Sequence, residues 1–117
     1  MLVSAALVAV AAPAPAHAAK QAKKAVHGAI AYEPTRRALG YSYDLKSARE
    51  AKIAALRQCG DPACVVLVSF SNACGAIARG PGKPFAATGA TRAEAQAKAL
   101  RRCGNEACQV LAWTCTK

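Results

Sequence analysis

Internal repetition constrains this chain more than any other feature. Residues 47–68 align without a gap on residues 91–112, a shift of 44, and eleven of the 22 pairs are identical. The identities include Glu50/Glu94, Leu56/Leu100, Cys59/Cys103, Gly60/Gly104 and Cys64/Cys108. Alanine-rich composition produces chance matches, but it does not set two cysteine pairs, a glycine and a glutamate in register. Upstream, Gly28-Ala29-Ile30-Ala31 recurs as Gly75-Ala76-Ile77-Ala78. A chain duplicated in this way is expected to form two copies of one small unit, neither of which can bury its faces alone.

Each copy can be read locally. Ser47-Ala48-Arg49-Glu50 and Thr91-Arg92-Ala93-Glu94 are capping boxes, in which a hydroxyl residue stands three before a Glu. Each opens a run of strong helix formers, predicting helices near 47–59 and 91–103. Ala51, Ala55, Leu56 and Cys59 share one helical face, and Ala95, Ala99, Leu100 and Cys103 repeat it. Gly60 and Gly104 stand where a left-handed C-cap is wanted. The short apolar runs that follow predict buried strands near 65–71 and 109–115. Before each helix a hairpin is expected, turning at Pro34-Thr35-Arg36-Arg37 in the first copy and at Gly80-Pro81-Gly82 in the second. The expectation is an α+β domain over residues 27–117, made of a duplicated ββαβ unit (about 28–71 and 75–115). Its simplest arrangement is one mainly antiparallel sheet with both helices on one face.

The ends read differently. Leu2 to Ala12 is an unbroken run of apolar and small residues, too short to span a membrane. Followed by Pro13, Pro15 and Ala16-His17-Ala18, it fits a signal peptide over residues 1–18. Residues 19–26, with Lys20, Lys23 and Lys24, read as a basic disordered arm. A secreted or periplasmic location follows.

All six cysteines lie beyond that leader, at Cys59, Cys64, Cys74, Cys103, Cys108 and Cys115. An even number behind a signal peptide reads as a disulfide framework, which a domain this small needs. Cys59-x4-Cys64 and Cys103-x4-Cys108 each join a helix end to a strand start, where a local bridge is geometrically feasible. Cys74 and Cys115 remain, and a bridge between them is expected to staple the two units. Six cysteines allow 15 pairings, and the duplication favours this one. Zinc ligation and a reactive thiol are the functional alternatives. Zinc sites prefer tighter spacing and reducing compartments, so no metal is expected.

These residues also carry a resemblance. Gly-Ala-Ile-Ala-Tyr from Gly28, Gly-Tyr-Ser-Tyr from Gly40, a Ser-x-x-Glu-Ala helix ending in Cys-Gly, and Asn72-Ala73-Cys74-Gly75-Ala76 together resemble a bacterial secreted family, domain of unknown function 4189. The resemblance spans residues 28–115. It implies export and a disulfide-bonded α+β domain, and brings no activity or catalytic residues with it. The chain departs from the family pattern in the second hairpin, where Lys83-Pro84-Phe85-Ala86-Ala87-Thr88 replaces a segment that usually carries Trp and Tyr.

Little points to catalysis. His27 is the one histidine beyond the leader, and a surface role suits it. Glu50 and Glu94 are accounted for by capping. Of the other carboxylates, Glu33 and Asp44 are the pair that the first hairpin could set face to face, as glycoside hydrolysis requires. There is no nucleophile elbow or phosphate-cradling loop. No cofactor is implied and no enzyme is expected. A binding surface is a better reading. Tyr32, Tyr41 and Tyr43, beside Arg36 and Arg37, form a possible stacking platform on the first hairpin, whereas Trp113 is expected in the core. With a formal net charge of +10, the partner is expected to be an anionic polymer, a membrane surface or an acidic protein. Recognition of a specific nucleic acid is not expected. An effector or inhibitor that binds one protein is the alternative.

Overall fold

The computed structural model describes residues 24–117. The leader over 1–18 and most of the arm lie outside the described residues. At the arm's end, the Asn72 backbone N–H donates to Val26 O, and Val26 N–H to the Asn72 side chain. Val26 is therefore tied to the domain rather than part of a free arm.

The order of elements is β1 (His27–Glu33), β2 (Ala38–Leu45), α1 (Ala48–Cys59), β3 (Val65–Ser71), β4 (Cys74–Arg79), β5 (Phe85–Gly89), α2 (Arg92–Cys103) and β6 (Gln109–Cys115). The series ββαβ occurs twice. Both helices begin at the expected caps, with Ser47 Oγ accepting from Glu50 N–H and Thr91 Oγ1 from Glu94 N–H, each at 3.1 Å. Both end at a left-handed glycine, Gly60 (φ 73°) and Gly104 (φ 79°). In the turns that follow, the Asp61 and Asn105 side chains accept from the N–H two residues on, so the two Cys-Gly corners have the same construction.

The α+β class and the antiparallel pairing match the expectation, but one detail is corrected. There are two three-stranded sheets, ordered β2-β1-β3 and β5-β4-β6, rather than one. The reason lies in the repeated Gly-Ala-Ile-Ala. On β1, Ala29 and Ala31 pack beneath α1 with Ala51 and Ala55, while Ile30 and Tyr32 face the other way. On β4, Ala76 and Ala78 pack beneath α2 with Ala95 and Ala99, while Ile77 faces Ile30 and Phe70. A central strand that is apolar on both faces needs a cover on both. The alanine faces let a helix approach closely, and the isoleucine faces close against each other. The helices therefore lie on opposite outer faces of a two-sheet sandwich. Leu56 and Leu100, expected on the buried helical faces, are each 36% exposed.

Phe70 joins the sheets. It pairs with Gly28 in the first sheet, and its ring lies against Gly75 in the second. A Cβ on Gly28 would come within 2.8 Å of Phe70 Cε2, and one on Gly75 would collide with Cε1 of the same ring. The glycine of each Gly-Ala-Ile-Ala copy is thus the space that this ring fills. We expect Phe70→Ala to cost about 3–5 kcal/mol of unfolding free energy, the range for losing a buried phenyl ring. Gly75→Ala is expected to destabilise as well, and denaturant titration checks both.

The bridges are Cys59–Cys64, Cys103–Cys108 and Cys74–Cys115, with Cα–Cα distances of 6.4, 6.2 and 4.0 Å. Cys74–Cys115 does not join the units as expected, because both residues belong to the second sheet, directly opposite on β4 and β6. The equivalent first-sheet pair is His27 and Ser71. The local bridges span a sequence separation of 5, and Cys74–Cys115 spans 41. By loop entropy these correspond to about 2 and about 4 kcal/mol. Replacing Cys74 and Cys115 together by Ser should lower the melting temperature more than removing either local pair, as calorimetry would show.

Candidate functional site

The approximate twofold relation between the halves lays β2 of one sheet along β6 of the other, and β3 along β5. The β2/β6 seam is an open cleft of about 610 Å³, lined by Tyr32, Arg37, Leu39, Arg79 and Leu111 among others. A second hollow of about 440 Å³ shares Leu39 and Leu111 and adds Tyr41 and Trp113.

Local structure sets each of these side chains. On β2, Ser42 faces α1 and donates its hydroxyl to Ala51 O at 2.7 Å. Alternation sends Leu39 and Tyr41 to the opposite face. On β6, Ile77 pairs with Ala112 and Ala78 with Val110, leaving Leu111 as the extra residue of a bulge. Leu111 is 42% exposed, Tyr41 43% and Trp113 41%. Trp113 is therefore not the core residue expected. β6 is an edge strand and α2 lies mainly over β4 and β5, so the indole stays partly exposed, with the Arg92 guanidinium 4.0 Å from the ring centroid.

Arg79 supplies the polar end of the cleft. Its Nε–H donates to Gly82 O at 2.8 Å and its Nη1 to the Tyr32 hydroxyl at 2.9 Å. Tyr32 and Arg79 occupy equivalent positions in the two halves, so the bond links the units. Both acceptors are neutral. The ion pairs among the described residues are Arg36–Asp61 at 3.2 Å and Lys98–Glu94 at 3.8 Å, and neither includes Arg79. Its guanidinium is held in place while its charge stays uncompensated.

The expected platform is only partly assembled. Arg37 and Tyr41 line the cleft, and Tyr32 is buried at its edge with its hydroxyl engaged. Tyr43 is exposed two residues further along β2, and Arg36 is drawn away to Asp61. The sequence reading missed Leu39, Arg79, Leu111 and Trp113. For Arg79 and Trp113 a signal existed in the differences between the halves, where Trp113 answers Ser69 and Arg79 answers Tyr32, whereas Leu111 answers the identical Leu67. Glu33 and Asp44 do not face each other. Glu33 pairs with Ala38 at the turn, while Asp44, at the far end of the hairpin, accepts from Lys117 N–H at 2.9 Å. Among the described residues no three His, Cys, Asp or Glu side chains form a metal-holding group. All six cysteines are in bridges.

Glu33 builds the turn that presents Arg37. Its carboxylate accepts from Arg36 N–H at 2.7 Å and Thr35 N–H at 3.1 Å. These bonds, the Arg36 one foremost, hold its pKa below the ordinary glutamate value. The folded pKa lies below the unfolded one, so the stabilisation is complete above the ordinary glutamate range and fades as pH falls through the lowered value. Glu33→Gln should remove that contribution, narrowing its stability gap from the parent as the medium is acidified. Urea unfolding at a series of pH values checks this.

Comparison with known proteins places the arrangement. Residues 27–115 match the family model described as a domain of unknown function, DUF4189. The NMR structure of Rv1813c from Mycobacterium tuberculosis is similar, with a TM-score of 0.62 and 34% sequence identity over 77% of this chain and 74% of that one. No curated protein matches the chain.

Proposed function

We propose, from the premise that this chain belongs to the DUF4189 family of domains of unknown function, that it is an extracytoplasmic, non-enzymatic binding module for an anionic partner. The observation that carries this reading is the excess of uncompensated cations. The chain has 16 Lys and Arg against 6 Asp and Glu, and two ion pairs form among the described residues. Arg49, Lys52 and Arg57 are exposed on α1, as are Arg92, Arg101 and Arg102 on α2. Lys98, Arg101 and Arg102 border a shallow hollow of about 320 Å³. Such a surface attracts polyanions in a salt-dependent way.

An oxidising compartment suits a domain with three disulfides, which is the support for the extracytoplasmic location. No helix among the described residues is long and apolar enough to cross a membrane. The non-enzymatic reading draws on the carboxylates. Glu33 is committed to its turn, Asp61 to its corner and Glu94 to capping, where it accepts from Ala90 N–H. The runner-up, an effector or inhibitor acting on one protein, is favoured by the apolar β2/β6 seam.

The test is chromatography of the disulfide-bonded protein on heparin resin with a neutral dextran control. Retention is expected at low salt, with elution as salt rises. Arg49, Lys52 and Arg57 changed together to Gln should elute at lower salt, and so should Lys98 and Arg101 changed together. Flow-through at low salt would contradict the reading.

A further inference from the structure

We propose that the β2/β6 seam is a peptide-binding site, which takes an extended acidic segment as an added strand along β6 and holds its carboxylate on Arg37 and Arg79. The proposal rests on the reading above in one respect, that the partner is anionic. It adds where the partner sits and what chemistry it has.

The duplicated fold supplies its own internal control. The repeat builds two seams of equal standing in the fold, β2/β6 and β3/β5. Strand register aligns them position by position. Tyr41, opposite Ile30, corresponds to Ala86, opposite Ile77. Trp113, opposite Ala76, corresponds to Ser69, opposite Ala29. Folding asks the same of both seams, and β3/β5 meets the demand with Ala86 and Ser69. At β2/β6 the exposed Tyr41 exceeds it, and Trp113, whose ring stacks with Arg92 on the α2 side of β6, borders the same hollow. Exposed aromatic and apolar side chains gathered in one cleft are the composition of a binding site.

The sandwich has four edge strands, β2, β3, β5 and β6. Gln58 Oε1 accepts from Tyr41 N–H on β2, and Arg102 Nη1 donates to Ala86 O on β5, so helix side chains cover these two edges at equivalent positions. Among the described residues no side chain bonds the edge backbone of β3 or β6 in this way, so each seam has one open edge, and the Tyr41, Arg37 and Arg79 lining belongs to the seam of β6. The orientation of that backbone follows from pairing. Cys74 and Cys115 are opposite at a Cα–Cα distance of 4.0 Å, the close spacing of a non-hydrogen-bonded pair. Thr116 N–H meanwhile donates inward to Ala73 O. Cys115, and by alternation Trp113, therefore direct their N–H and C=O away from β4. A strand laid there would find donors and acceptors in register, with alternate side chains entering the cleft against Leu39, Tyr41 and Leu111.

The charged residues that line the cleft are Arg37 and Arg79, and no carboxylate lines it. A second copy of this chain, at +10, is repelled. An acidic segment is attracted, and the fixed Arg79 fork suits a carboxylate. The seam runs from Arg37 to Tyr41 on β2, room for a segment of about five residues at roughly 3.3 Å each.

The test pans a random heptapeptide library on the disulfide-bonded chain, with counter-selection on the Arg37→Gln/Tyr41→Ser variant, both substitutions being at exposed positions. Trp113, the one tryptophan, reports binding by fluorescence. Enriched peptides are expected to carry Asp or Glu beside alternating apolar residues. They should change Trp113 emission and slow amide exchange at Trp113 and Cys115. Changing the peptide's acid to its amide should weaken binding at least tenfold, a readout that holds even if the protein variant folds poorly. No enrichment, enrichment without an acid, or binding without protection at Trp113 and Cys115 would overturn the proposal. So would heparin or an oligonucleotide altering Trp113 emission where the peptides do not. Heparin retention of the Arg37→Gln/Tyr41→Ser variant separates the two readings. Retention that persists while peptide binding fails leaves the polyanion surface intact and removes only the seam.

Discussion

The ring of Phe70 lies between Gly28 on one sheet and Gly75 on the other, and the remaining architecture depends on that contact. It requires glycine at the same place in both repeats, because a methyl group at either position would enter the ring's volume. It also breaks the symmetry of the repeat. One phenylalanine serves both halves, and the equivalent of Phe70 on β6 is Thr114, opposite Gly75. With the isoleucine faces closed over this ring, the alanine faces are left for the helices. The helices then stand outside the sandwich and the strand edges run along its two sides.

The division of labour follows from side-chain size. Alanines on β1 and β4 let α1 and α2 settle close, and the capping boxes, left-handed glycines and short disulfides fix where each helix starts and stops. None of this distinguishes one half from the other. What does distinguish them lies at the β2/β6 seam, where Tyr41 and Trp113 are exposed and Arg79 is held by Tyr32 and Gly82. The duplicated scaffold supplies two equivalent seams, and aromatic and cationic side chains mark one of them. The helix faces, with their unpaired cations, form a separate electrostatic surface.

Local features were legible in the sequence because local chemistry decides them. Ser47 with Glu50, Thr91 with Glu94, and the Cys-Gly corners need only near neighbours, and the helices and strands lie within a residue of expectation. The pairing of the cysteines followed from the repeat. The two-sheet arrangement was harder to read, because Ala-Ile-Ala marks a strand without saying that both of its faces must be covered by different layers. Trp113 looked like a core residue because it alternates with Leu111 and Cys115, but a bulge and an edge position turn that stretch outward. Tyr32 belonged to the expected platform, but it is buried in the cluster with Ile30, Phe70 and Ile77, and Arg79, 47 residues away, bonds its hydroxyl. The cleft itself is made by β2 and β6, which are distant in the chain and share no local pattern.

On the proposal above, binding resides in one of two equivalent seams. Chemical-shift mapping of the disulfide-bonded chain against a mixture of short acidic peptides tests it most directly, because each seam is the other's control. The account predicts shifts at Leu39, Tyr41, Arg79 and Leu111 to Thr114, with Ala86 to Thr88 and Leu67 to Ser69 unmoved. Equal shifts on both seams, or shifts confined to the outer faces of α1 and α2, would contradict it.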